Sequence, residues 1–244
     1  MEYTNTMTNT ISRRTLAKGA AWSVPVVAVA AAAPTASASP ADCITSGTLQ
    51  SSASVPPSTS PNYTCVQTDI DGNPTGTPLG NWRVQILVST CTAVHAGSTL
   101  KQAPQITANV ITATAAANVL RGFGATQVTG GSSTAKYSVT GQVVGSPASR
   151  TGNLSIGAFP VPATGGISTT ATGSGALETA TTAGSINIAA TSFTVVLNWT
   201  GEDPDTGDPN SGTNYVSCTP AVCTSASACT PTTSVPLTPA ITVQ

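Results

Sequence analysis

The chain has 244 residues, of which 7% are charged and 4% aromatic, with a formal net charge of −1. It has no basic surface with which to displace counterions from phosphates or to seek an anionic membrane, so nucleic-acid and lipid-surface binding are excluded. Low net charge with abundant Val and Thr excludes charge-driven disorder and favours pleated strands, over a length suited to one domain or at most two small ones.

At the N-terminus, a polar region carrying Arg13, Arg14 and Lys18 precedes an apolar run from Ala20 to Ala33 and a small-residue tail from Pro34 to Pro40. That order is the order of an export signal, and Ala36-Ser37-Ala38 supplies the small–x–small pattern of a signal-peptidase site. The expected boundaries are a helical signal peptide over 1–38 and a mature chain from Ser39 to Gln244. The heptapeptide SRRTLAK, Ser12 to Lys18, resembles the bacterial twin-arginine signal, and the mild Ala/Val run suits that route. Fourteen residues fall short of the roughly 20 needed for a span, so no stable membrane anchor is expected. Pro40-Ala41-Asp42 is not a lipobox, which leaves Cys43 as an ordinary cysteine. The expected partners during export are the twin-arginine or general secretion machinery and signal peptidase.

All six cysteines, Cys43, Cys65, Cys91, Cys218, Cys223 and Cys229, follow the cut. An even number in an exported chain implies disulfides, with about 15 possible pairings for six. Twin-arginine export carries folded proteins, whereas disulfides form outside the cytosol. Either the core folds first and is stapled later, or the route is general secretion.

The mature chain opens with a Ser/Pro-rich segment, 39–61, and closes with a Thr/Pro-rich one, 224–244, both of extended, weakly structured composition. Between them, over 62–223, period-two alternation dominates. Trp82, Val84, Ile86 and Val88 share one face; Phe193, Val195, Leu197 and Trp199 share another. Weaker strands are YTCVQTDI, QITANVITAT, TAKYSVTGQVV, NLSIGAFPV, SINIAA and TNYVSC. Turn signals stand at Asp71-Gly72-Asn73-Pro74, Gly130-Gly131, Gly165-Gly166 and Gly207-Asp208-Pro209. No sustained helical period follows the signal, so the expected fold is all-β, an antiparallel β-sandwich of immunoglobulin-like type.

Three pieces in order, NYTC (Asn62 to Cys65), VLRGFGATQVTG (Val119 to Gly130) and GSINIAATSFTVVLN (Gly184 to Asn198) followed by YVSC (Tyr215 to Cys218), carry a resemblance. The span Asn62 to Cys218 resembles a family of secreted actinobacterial β-sandwich proteins with no assigned function. The resemblance implies the fold, a location outside the cytoplasm and a Cys65–Cys218 bridge between first and last strands. It brings no catalytic residues, and no pairing for Cys43, Cys223 or Cys229.

Candidate chemistry is sparse. The loop GEDPDTGDPNSG, Gly201 to Gly212, offers closely spaced oxygens that suit calcium, but lacks the EF-hand order and reads better as a polar hairpin loop. DIDGNPTG, Asp69 to Gly76, reads as a tight turn. His95 and Cys91 lack the further ligands that zinc requires, and no serine sits in a nucleophile context. Glu178 with Glu202 or Asp203 is the only carboxylate pairing suggested for glycoside cleavage, and the polar flanks of Glu178 predict exposure. Trp82 and Trp199 alternate in phase with aliphatic residues and read as core.

The expectation is therefore a non-enzymatic exported protein without cofactor or metal, of the cell surface or medium. It would act by surface binding or structural interaction with a cell-envelope component, a protein or a glycan. The alternative is a secreted carbohydrate-active enzyme or carbohydrate-binding module.

Overall fold

Alternating apolar and polar residues give thirteen strands and one helix among the residues that the computed structural model describes, 43–51, 62–99, 103–223 and 229–244. In chain order these are β1 (Cys43–Ser51), β2 (Asn62–Thr68), β3 (Pro74–Val94), β4 (Gln105–Ile111), α1 (Thr114–Gly122), β5 (Ala125–Gly141), β6 (Ala148–Ile156) and β7 (Phe159–Pro160). There follow β8 (Ser168–Ser174), β9 (Gly184–Glu202), β10 (Pro209–Cys223), β11 (Cys229–Pro231), β12 (Val235–Thr238) and β13 (Ile241–Val243).

The fold is all-β and mostly antiparallel, with the core between two sandwich-like faces. The pairing closes on itself: β9–β10–β2–β3–β4–β8–β6–β5 and back to β9, each neighbouring pair antiparallel. Each strand of this eight-strand circuit therefore has a paired neighbour on both sides over part of its length, which limits the template for strand-to-strand aggregation. Inside it lie Trp82, Val84, Ile106, Leu154, Val195, Leu197 and Val216, all buried.

Three local readings of the sequence are corrected. SINIAA and TSFTVVLNWT, expected as separate strands, are the single strand β9. Ile186 and Ile188 are buried at even positions and Phe193 to Trp199 at odd ones. The phase changes at a bulge opposite Lys136–Tyr137, where an extra residue turns the following side chains to the other face.

Gly130-Gly131, expected as a turn, lies inside β5 at another irregularity of the same ladder. Gly130 has φ +146°, and a side chain at Gly131 would run into the Val196 carbonyl. The two glycines admit a close approach of backbones.

A helix occurs where none was expected. Thr114–Gly122 forms α1, with Ala116, Ala117 and Leu120 buried on one face. The Ala-rich run favours helix, but nine residues are too few for a helical period to stand out.

The closing segment is also more ordered than its composition implies. β12 pairs with β1 and β9, and β13 pairs antiparallel with β9 and parallel with β3. Val235, Leu237, Ile241 and Val243 are buried in the same core. Likewise β1, within the Ser/Pro-rich opening segment, pairs along β3 from Cys43 to Gln50.

Candidate functional site

The cysteines form three bridges: Cys65–Cys218, Cys43–Cys91 and Cys223–Cys229. Cys65 and Cys218 face each other across the β2–β10 ladder and are buried. Cys43–Cys91 fastens β1 to β3, and Cys223–Cys229 joins β10 to β11 across their pairing. No cysteine among the described residues is free. Three bridges fit an oxidising, extracellular environment. The signal residues Arg13, Arg14, Ala36 and Ala38 lie outside the described residues.

Strand directions sort the loops into two ends. β2, β4 and β9 run one way, so the 69–73 turn, α1 and the 203–208 turn share one end. At the other end, Cys43 starts β1 opposite Val94, and Gln244 donates its N–H to the Val94 carbonyl at 2.9 Å. The Gln244 carbonyl accepts from Ala96 N–H at 2.7 Å. The first and last described residues therefore lie together, opposite the α1 end.

The α1 end carries an aromatic pair beside carboxylates. Phe123, 40% exposed, stacks on the buried Trp199 with centroids 5.7 Å apart and rings 8° from parallel. The Phe123 carbonyl accepts from Asn210 Nδ2 at 3.3 Å, and Glu202 N–H donates to the Gly124 carbonyl at 3.1 Å. Gly124, at φ +77°, is required there because a side chain would run into the Glu202 carbonyl. Trp199 lies across Gly212, whose absent side chain leaves room for the indole. The Gly-Phe-Gly that ends the helix thus fastens it to the acidic hairpin.

Within that hairpin Asp203 organises its own turn. Its Oδ1 accepts the N–H of Asp205 at 2.9 Å and of Thr206 at 3.1 Å. These bonds hold its carboxyl below the usual range, the Asp205 bond foremost. Asp69 does the same for the 69–73 turn: its carboxylate accepts from Asn73 Nδ2 at 3.0 Å, Asn73 N–H at 2.8 Å and Asp71 N–H at 3.0 Å, which lower its pKa. Both are carboxylate-capped turns. Among the described residues no three His, Cys, Asp or Glu side chains are gathered as a metal would need.

Glu178 corrects the expectation of exposure. It is only 4% exposed, and Arg150 forks onto it, Nε to Oε1 at 2.8 Å and Nη2 to Oε2 at 3.0 Å. Two parallel charge-assisted bonds are the strong form of this pair, and they raise the Arg150 pKa further. Nearby, Tyr137 pairs across the ladder with Arg150, and its hydroxyl accepts Ala176 N–H at 2.7 Å. Burial raises the pKa of that phenol. Nothing in the sequence signals the ion pair, whose partners are 28 residues apart.

Glu178 belongs to the end where the described chain starts and finishes, because its neighbours Thr179 and Ala180 bond to Val144 and Ser98. Glu202 lies at the opposite end of the 19-residue β9. The suggested carboxylate pair is therefore not brought together. Cys91 is bridged to Cys43 and has no thiolate to offer a metal beside His95, which sits exposed in the 95–98 turn. Trp82 and Trp199 are buried.

Residues 62–228 match the model of DUF6801, a family of unknown function, over more than half of the chain, and the chain belongs to that family. No curated protein and no solved structure matches it.

Proposed function

Starting from membership of a family without an assigned activity, we infer that this is an exported protein of the cell surface or medium. It acts by surface binding or structural interaction and not by catalysis. Arg13, Arg14 and the Ala36–Ala38 cleavage pattern support a twin-arginine-type signal, and the resemblance noted above supports an actinobacterial source. Three bridges support residence outside the reducing cytosol. The observation that carries the binding role is Phe123, a large exposed ring held on Trp199 beside Glu202 and the 203–208 turn. Exposed rings on a rigid scaffold are favoured at recognition surfaces. That rim faces away from the end where the described chain starts and finishes, which leaves it clear for a cell-envelope component, protein or glycan.

Peptide mass mapping of the secreted protein without reduction tests the reading. The expected result is a chain beginning at Ser39 with all three bridges. A surviving Met1 accompanied by free thiols overturns it.

A second reading, a carbohydrate-binding module, is favoured by a flat exposed ring at the rim where the acidic hairpin is fastened to the helix. On a glycan array it predicts signal that Phe123→Ala removes. An empty array counts against it.

A further inference from the structure

The interior of the eight-strand circuit is not filled. A cavity of about 60 Å³ lies among Trp82, Ala108, Ala116, Leu120 and Val195, under the helix. A second, of about 50 Å³, lies among Tyr63, Val88, Tyr137, Ile188 and Leu237. The two share Ile86, Ile106, Ala135 and Phe193 on their walls. Small residues at inward positions, Ala108, Ala135 and Ala171, leave the space that larger side chains would occupy.

Tyr63 marks the second cavity as more than a packing gap. The residue is 0% exposed, and its hydroxyl is buried with no hydrogen-bond partner. Its ring is held edge-on to Phe193, with centroids 5.0 Å apart. Burial raises its pKa, so the proton stays on the oxygen at neutral pH and the group remains a donor. An unpaired buried hydroxyl is a cost to the fold unless something receives it. A water needs two to four polar partners. The second cavity sets Tyr63 mainly among aliphatic side chains, and the Tyr137 hydroxyl already accepts Ala176 N–H. Apolar cavities of about 150 Å³ stay dry and admit a benzene-sized guest. Neither space reaches that size alone, so a ring-sized guest requires the shared wall side chains to move apart.

We propose that the interior is a binding site for a small neutral molecule. Its body is one ring or a short chain, and it carries a single acceptor that receives a hydrogen bond from the Tyr63 O–H. A charged ligand is disfavoured, because the walls are mainly apolar, the one ionic residue among them, Lys136, is itself exposed to solvent, and a buried unpaired charge is prohibitive. This site is separate from the Phe123 rim and does not depend on the surface-binding reading.

The test uses the full oxidised protein with cyclohexanone, a ring with one acceptor, and benzene, of similar size with no carbonyl, at millimolar concentration. Side-chain methyl NMR and calorimetric titration are the readouts. Cyclohexanone is expected to shift the methyl signals of Ile86, Ile106 and Val88. Tyr63→Phe is expected to weaken it about tenfold, the worth of one hydrogen bond, while leaving benzene unchanged. Ala135→Val, which thickens the wall shared by the two cavities and narrows both, is expected to weaken both probes. Absence of methyl shifts with either probe overturns the proposal. So does equal cyclohexanone affinity in Tyr63→Phe, or binding untouched by Ala135→Val.

Discussion

The closed circuit from β2 to β10 and the outer strands β1 and β11 to β13 are held by different means. In the circuit, long ladders bury both walls, and Cys65–Cys218 spans 153 positions of sequence. Of the outer strands, β11, β12 and β13 are short, with three, four and three residues, whereas β1 has nine. They complete the wall beside the far halves of β3 and β9, and Cys43–Cys91 and Cys223–Cys229 secure their surroundings over separations of 48 and 6. The family match, 62–228, covers the circuit and stops short of β11 to β13. One body is cooperative through its own pairing, while the other depends on the grooves that the first presents.

Removing bridges is the strongest way to break this contrast. In the chain-entropy model, losing Cys65–Cys218 costs about 5 kcal/mol, losing Cys43–Cys91 about 4, and losing Cys223–Cys229 about 2. Denaturant unfolding of the three paired Cys→Ala variants is expected to give that order. Equal losses would show that the circuit has no special claim on stability.

Core truncation in an outer strand is the next test. Ile241 is fully buried, so Ile241→Ala is expected to lower stability by about 2–4 kcal/mol. Val222→Ala, at an exposed position of β10, is expected to change it by about 0.5 kcal/mol or less. If both variants unfold at the wild-type denaturant midpoint, β13 is an ornament and not part of the core.

Alkaline titration sharpens the contrast most gently, because it reads the circuit alone. Tyr63 on β2 and Tyr137 on β5 both have raised pKa values, burial being the main cause. A folded pKa above the unfolded value of about 10 means that this stability is fully present below pH about 10 and is lost as pH rises through the folded values. The slope is about 1.4 kcal/mol per pH unit for each tyrosine held neutral. Phenolate absorbance from these two residues is expected only as the strand circular-dichroism signal falls. Ionisation of both with the strands intact refutes it.

Much of the circuit is legible because its strands are long and half-buried. Trp82 to Val88 and Phe193 to Trp199 each repeat the two-residue period often enough to declare a face. Legibility fails where local pattern is brief or interrupted. The β9 bulge changes phase in mid-strand and imitates a boundary, α1 has too few turns to show its period, and β12 and β13 hide their apolar residues among Thr and Pro. The rim is half legible. Gly-Phe-Gly and the acidic hairpin are visible as pieces, but only folding places Phe123 on Trp199.

By itself, the sequence determined the all-β class, the strands that carry the core, the even set of six cysteines and the family. These follow from residue type and short-range spacing, which act along the chain. Only the tertiary structure decided that the sheet closes, that Cys43 pairs with Cys91 and Cys223 with Cys229, that Glu178 is buried against Arg150, and that Tyr63 faces an unfilled interior. Apart from the Cys223–Cys229 bridge, each of those depends on residues far apart in sequence meeting across the sheet, where burial and partners are set by the neighbours that folding supplies.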